Sequence, residues 1–310
     1  MDKTNEATNV YKNVLGLVGN TPVVELSNIV KKHNLDGKIY AKLEFFSPGL
    51  SKKDRVAKYI IEEAERAGVL KPGQTVIEST SGNTGIGLAM VCAVKGYPFI
   101  AVMSDGNTRE RRVMIEQFGG QVELVPQHPE SKKGRVSGKD LEVVRARFEQ
   151  LAEELGAFKV GQFVNPQNPL AHYTHTAEEI INDIPSVAAF VDFIGTGGSF
   201  EGIAKRMKRH NPAIKCFIIE PTSSNHIIQG GGYLKKIPFA IDSNRDGVIK
   251  ITDTETLHWK KELASVEGIA CGISTGSNLA GAVAYLKENP GSSVVFLVND
   301  TFWNYISLNV

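Results

Sequence analysis

Short apolar runs rich in β-branched residues alternate along this chain with longer segments whose apolar positions recur at helical spacing. Thr75 to Glu78 precedes a helical stretch from Ile86 to Lys95, and Phe99 to Met103 precedes one from Arg109 to Phe118. The succession returns at Ala189 to Ile194 before Glu201 to Arg209, at Lys215 to Glu220, and at Ser293 to Val298. Runs that are apolar throughout, rather than alternating, belong to strands covered on both faces. The pattern therefore predicts an α/β fold with mostly parallel sheets flanked by helices. Between Pro126 and Lys139 the chain turns polar, before a charged helix from Asp140 to Leu155. A domain boundary is expected there, with no internal repeat on either side of it.

The 310 residues are 42% hydrophobic and 22% charged, enough for two modest cores. A net charge of +1 gives no field that would favour a polyanion, so nucleic acid is not an expected partner. No run of about eighteen apolar residues and no apolar leader with a cleavage site are found, so a cytoplasmic protein without a membrane partner is expected. Cys92, Cys216 and Cys271 are odd in number and form no C-x-x-C pair. They read as buried thiols rather than as a disulfide framework or a metal site.

Three glycine-rich turns carry candidate chemistry. Ser79-Thr-Ser-Gly-Asn-Thr-Gly85 lies between a strand and a helix, where backbone N–H groups and the helix dipole favour a small carboxylate. Thr80, Ser81 and Thr84 add hydroxyl donors, Gly82 allows close backbone approach, and Asn83 offers an amide. Gly195-Thr-Gly-Gly-Ser199 also follows an apolar strand and suits a phosphate. A dinucleotide fingerprint would need glycine at position 200, where the chain has Phe200. The third turn, Gly272 to Ser277, offers Ser274 and Thr275 as neutral hydrogen-bonding groups, and in isolation reads equally as a helix cap. Lys53 stands at the start of an amphipathic helix from Val56 to Ala67. A positive helix end there would leave more of its amine unprotonated, as a Schiff base requires, although on its own the position reads first as a charged helix start.

Taken with Gly19-Asn-Thr-Pro22, Lys42-Leu-Glu-Phe45, Glu110-Arg-Arg112 and Gln162-Phe-Val-Asn-Pro166, these motifs resemble the cysteine synthase and cystathionine β-synthase family of fold-type II pyridoxal-phosphate enzymes, almost end to end. The resemblance implies pyridoxal 5'-phosphate as cofactor, with Lys53 as both its Schiff-base lysine and the base that takes the substrate's α-proton. It implies Asn83 against the cofactor's phenolic oxygen, and Gly195, Thr196, Gly197, Gly198 and Ser199 around its phosphate. Ser274 would meet the pyridine nitrogen. Thr80, Ser81, Gly82, Thr84 and Gln162 would hold the amino acid's carboxylate. A hydroxyl at the pyridine nitrogen leaves the ring a weaker electron sink than a carboxylate would, which favours β-replacement through an aminoacrylate over racemisation or transamination.

The implied activity is synthesis of L-cysteine from O-acetyl-L-serine and sulfide. Cystathionine, lanthionine or diaminopropionate-type products, release of sulfide from cysteine, and a non-catalytic cofactor-binding paralogue stand beside it. A homodimer and a serine acetyltransferase tail are the implied partners. The smaller, mobile domain is expected over 46–151, and the larger over 1–45 and 152–310.

Ser47, Leu50 and Lys52 depart from the family's usual run before the lysine; His172 to Glu179 stands where a Gly-Pro-Glu step is common and His226 to Tyr233 replaces a longer glycine loop, and these last two segments are expected to shape the nucleophile's entrance. Asp242 to Asp253 imitates a calcium loop but has Lys250 at its ninth place, and His172 and His175 lack an evident third ligand. No metal is expected.

Overall fold

The computed structural model describes residues 10–80, 82–107, 109–131, 136–223, 225–228, 231–232, 239 and 244–308. Their elements run β1 (Val23–Glu25), α1 (Ser27–Lys32), β2 (Gly37–Leu43), α2 (Lys53–Arg66), β3 (Val76–Ser79), α3 (Asn83–Lys95), β4 (Phe99–Ser104), α4 (Arg109–Gln117), β5 (Gln121–Val125) and α5 (Gly138–Glu154). There follow β6 (Phe158–Lys159), α6 (Gln167–Ala171), a π turn (His172–Thr176), α7 (Ala177–Asp183), β7 (Ala189–Phe193), α8 (Gly198–His210), β8 (Lys215–Pro221), β9 (Gly247–Ile251), α9 (Asp253–Glu267), α10 (Ile273–Glu288) and β10 (Ser292–Val298).

The chain divides into two compact units. One comprises 10–18, Ser47–Gln167 and 305–308, and the other Gly19–Phe46 and Asn168–Asn304. The division differs from the expected boundaries at both ends of the first unit. After α5 the chain returns as β6 beside β3, which carries that unit past Leu151. Residues 10–18 join it through contacts such as Lys58 Nζ donating to the Leu15 carbonyl at 3.0 Å.

The first unit is built on a parallel sheet of order β5-β4-β3-β6. Successive side chains on a strand point to opposite faces, so each strand supplies both of its covers. Val76, Phe99 and Ala101 pack with Val56, Ile60 and Ile86 of α2 and α3, while Ile77, Ile100 and Val102 pack with Val144 and Phe148 of α5. This two-sided burial is why the strands read as unbroken apolar runs.

The second unit holds a six-stranded sheet of order β1-β2-β10-β7-β8-β9. Its β1–β2 pair is antiparallel and the other described pairs are parallel. Phe190, Ile218, Val295 and Leu297 turn toward Ile180 of α7 and Ile203 and Met207 of α8. On the opposite face α10 approaches so closely that a Cβ at Gly281 would lie 2.2 Å from Ile219 Cδ1. Lys42, fully buried on β2, joins the two N-terminal motifs of this unit. Its Nζ donates to the Thr21 carbonyl at 2.6 Å and pairs with Glu179 at 2.9 Å and Asp183 at 3.2 Å, while Thr21 Oγ1 donates to Glu44 at 2.8 Å.

No helix among the described residues is long and apolar enough to cross a membrane. The three cysteines are buried, and burial pushes each thiol up to about 12.

Candidate functional site

The 79–85 turn in the first unit and the 195–199 turn in the second sit where a parallel strand ends and a helix begins, the edge of an α/β sheet at which ligands are bound, whereas the 272–277 turn joins α9 to α10. In the first unit Lys53 opens α2, half-buried, with its backbone N–H on Ser51 Oγ at 3.2 Å. The turn that delivers it holds Leu50 at φ +66°, a left-handed conformation that a side chain disfavours. Asp54 secures that turn by accepting the Gly49 N–H at 2.6 Å. A Cβ at Gly49 would lie 2.4 Å from the same carboxylate, which explains glycine there.

The 79–85 turn follows β3. Asn83 is the first residue of α3, where N–H groups have no acceptor within the helix. Gly82 N–H reaches Thr80 Oγ1 at 3.4 Å, and Ser81 lies outside the described residues. Thr84 and Gln162 are far apart in sequence, but Thr84 Oγ1 donates to Gln162 Oε1 at 2.6 Å. Gln162 is itself held twice, by Nε2 donating to the Ser79 carbonyl at 3.3 Å and by its N–H donating to Glu78 Oε2 at 3.0 Å.

Sequence reasoning gave Glu78 no role beyond membership of its motif. Burial pushes its carboxyl up to about 7, against the N–H groups of Gln162, Ser79 and Gly161 and the charge of Lys53, which pull it down. Arg111 was also only a motif letter. Its buried guanidinium lies 4.8 Å over the Tyr305 ring, and a Cβ at Gly82 would sit 3.4 Å from its Nη1.

In the second unit the 195–199 turn joins β7 to α8, with Gly197 at φ +86° as the helix N-cap. Thr196 Oγ1 accepts hydrogen bonds from Asn168 Nδ2 at 3.0 Å and from Gly198 N–H at 3.3 Å. No described residue takes its own proton, which leaves a donor for an anion. Ser199 differs, because its hydroxyl proton goes to buried Asp192 at 2.6 Å; its backbone N–H is what it can offer a phosphate. Asp192 is anchored in turn by Asn278 Nδ2 at 3.2 Å. Asn168 also sets the turn's shape, since a Cβ on Gly198 would fall 2.1 Å from its Oδ1. Asn168, Asp192 and Asn278 lie outside the glycine motif, so its letters carried no sign of them.

Ser274 lies in the first turn of α10, half-buried, and its Oγ accepts from Asn299 Nδ2 at 3.0 Å. As with Thr196, no described residue receives its proton. The described part of the 226–233 segment passes over the 195–199 turn: Gly232 N–H donates to the Ile194 carbonyl at 3.0 Å. A Cβ at Gly231 would lie 2.5 Å from that oxygen and 3.0 Å from Gly195 Cα. Burial lowers the His226 imidazole's pKa. Gln229, Gly230 and Tyr233 lie outside the described residues.

The groups that imitated metal sites have other partners. Asp246 takes Lys208, Lys215 at 3.1 Å and the Cys216 N–H at 2.8 Å. His172 Nδ1 pairs with Thr176 Oγ1 at 2.9 Å, and Glu179 accepts the Asn20 N–H at 3.0 Å.

Each unit therefore offers its own candidate: a lysine at a helix start in the first, and in the second a turn after a parallel strand whose Thr196 hydroxyl keeps a donor for an anion. The chain belongs to the pyridoxal-phosphate dependent enzymes: residues 14–300 match the family of that description. Within it, the relatives are of the cysteine synthase and cystathionine β-synthase type. The chain is 36% identical over 308 residues to a cysteine synthase of Staphylococcus aureus, covering 95% of each chain. It is 35% identical over 311 residues to the O-ureido-L-serine synthase of Streptomyces lavendulae, covering 96% of this chain and 92% of that protein. The crystal structure of a hydrogen sulfide-producing enzyme from Fusobacterium nucleatum superposes with a TM-score of 0.86 at 38% identity, over 96% of this chain and all of the other.

The residues present fit pyridoxal 5'-phosphate. Thr196 and Ser274 each keep a hydroxyl proton that no described residue accepts, and neutral donors of that kind suit a phosphate oxygen and an unprotonated ring nitrogen.

Proposed function

We propose that this protein replaces the leaving group on the β-carbon of O-acetyl-L-serine, or another activated serine, with sulfide, giving L-cysteine and the released acid. The observation that carries this reading is the neutral contact available at Ser274. Its hydroxyl can donate to an unprotonated ring nitrogen, but it cannot hold the positive charge that a carboxylate would stabilise. The bound cofactor supplies an electron sink that labilises the α-C–H bond.

This chain's own groups do the rest. The Lys53 amine takes the α-proton, and Asn83 orients the cofactor's phenolic oxygen. Thr80, Ser81, Gly82, Thr84 and Gln162 grip the substrate carboxylate, with Thr84 and Gln162 already fixed against each other. Gly195, Gly197 and Gly198 let backbone approach the phosphate, Thr196 donates its proton, and Ser199 gives its N–H. Departure of the β-substituent with its bonding pair opens the β-carbon to hydrosulfide. A homodimer goes with this reading, and sedimentation equilibrium tests it.

A second reading, release of sulfide from cysteine, draws on the resemblance to the hydrogen sulfide-producing enzyme. The visible spectrum of the cofactor-loaded protein, taken before and after O-acetylserine and then sulfide, separates the two. A band that shifts with O-acetylserine and recovers with sulfide supports synthesis. A band that answers only to cysteine, with sulfide released, overturns synthesis in favour of the second reading.

A further inference from the structure

We propose that Asn299 is a positioning residue that fixes the Ser274 hydroxyl as a donor toward the cofactor's ring nitrogen; this rests on the reading above. Asn299 follows β10 directly and is buried. The chain there grips the start of α10 at three points: Asn299 Nδ2 on Ser274 Oγ at 3.0 Å, Asn299 N–H on Thr275 Oγ1 at 3.2 Å, and the Asp300 carbonyl accepting the Gly272 N–H at 3.2 Å.

A serine hydroxyl has one proton to give and lone pairs that accept. An amide N–H on Oγ occupies a lone pair, so the proton must point elsewhere, and no described residue accepts it. Asn299 Oδ1 is buried without a hydrogen-bond partner among the described residues, so the amide meets Ser274 through what it donates. The alternative is the reverse arrangement, in which Ser274 would spend its proton on residue 299 and turn a lone pair to the ring. That reverse arrangement would suit a protonated ring, a stronger electron sink.

The substitution Asn299→Asp imposes the reverse arrangement in nearly the same volume, because a carboxylate only accepts. The test uses full-length protein stripped of cofactor and reloaded with pyridoxal 5'-phosphate, as wild type, N299D, S274A and the N299D/S274A double variant. Three quantities are read: cofactor affinity, the visible band as a function of pH, and exchange of the α-proton of L-alanine in deuterated water.

N299D is expected to shift the band and its pH response in the same direction as S274A. Alanine α-proton exchange in N299D should rise roughly tenfold, the equivalent of one pKa unit at the ring. The double variant should add nothing to S274A, since Asn299 acts through that hydroxyl. An N299D spectrum identical to wild type while S274A is altered would overturn the inference, as would effects that simply add. If N299D does not fold by circular dichroism, Asn299→Ala replaces it: weaker cofactor binding with a broadened pH response supports the role, and unchanged values overturn it. A wild-type protein that takes up no pyridoxal phosphate would instead overturn the functional reading itself.

Discussion

Glu78 shows how a single side chain at the head of the 79–85 turn meets both Gln162 and the charge of Lys53. Its carboxyl is buried, accepts the Gln162 N–H, and feels the charge of Lys53. With its pKa pushed up to about 7, the folded protein keeps a proton that the unfolded chain has lost above its ordinary carboxyl pKa. Stability from this group is therefore highest in acid and falls as pH rises toward 7, by on the order of 3 kcal/mol in all. Melting temperatures of wild type and Glu78→Gln, compared across that range, should show wild type losing ground to the variant. A constant difference would show that Glu78 ionises normally.

Lys53→Ala should remove the visible Schiff-base absorption and slow turnover by about 10²-fold to 10⁴-fold or more, checked by spectrum and steady-state assay. Gln162→Ala should raise KM for the amino acid by roughly tenfold and lower kcat less, because the lost contact serves binding. At this scale the glycine motifs were legible as turns that open helices, because a tight turn dictates residue type. Glu78, Asn168 and Asn299 were not, because each acts by reaching a motif residue from another element, and no local pattern records that reach.

Among elements, the runs apolar on both faces were legible to within about a residue, while α2, α3 and α8 start three residues before their expected Val56, Ile86 and Glu201, because their first turns carry polar or glycine residues outside the apolar spacing. β1, β5, β6 and β9 escaped because they are edge strands, short or half-solvated, and the interior β2 escaped because Lys38 and Lys42 interrupt its apolar residues. α9 carries its own signal in the capping box of Thr252 with Glu255, in which each side chain bonds the other's backbone N–H. Thr252→Ala should lower stability by about 1 kcal/mol in denaturant titration, with activity unaffected. A harsher case is α8, where a Cβ at Gly202 would lie 2.1 Å from the Pro169 carbonyl. Gly202→Ala should destabilise by roughly 1–3 kcal/mol, since backbone has to yield.

For the molecule as a whole, the α/β class follows from runs of buried strand and needs no knowledge of the site. The division into units does not follow so directly, because pairing of the two-residue β6 with β3 decides where the first unit ends. Cofactor binding to the native state alone should stabilise the protein by mass action. Pyridoxal phosphate at about a thousand times its Kd should contribute roughly 4 kcal/mol, visible as a concentration-dependent rise in Tm. An apoprotein whose Tm ignores pyridoxal phosphate would count against the site.

The π turn at His172–Thr176 has a consequence for how this chain can change length. A π turn holds one residue more than the α-helix around it, so it behaves as an insertion absorbed without breaking the helix. Deleting one residue there would restore regular winding while the helix beyond it kept its facing, because the extra residue is taken up inside the turn. Glu179 would stay against Lys42 and the Asn20 N–H. A deletion from the regular turns of α7 would instead rotate the residues beyond it by about 100°. Single-residue deletions between 172 and 176 should therefore be accepted in active descendants of this chain more readily than deletions within 177–183, a difference that a deletion scan read by activity would show.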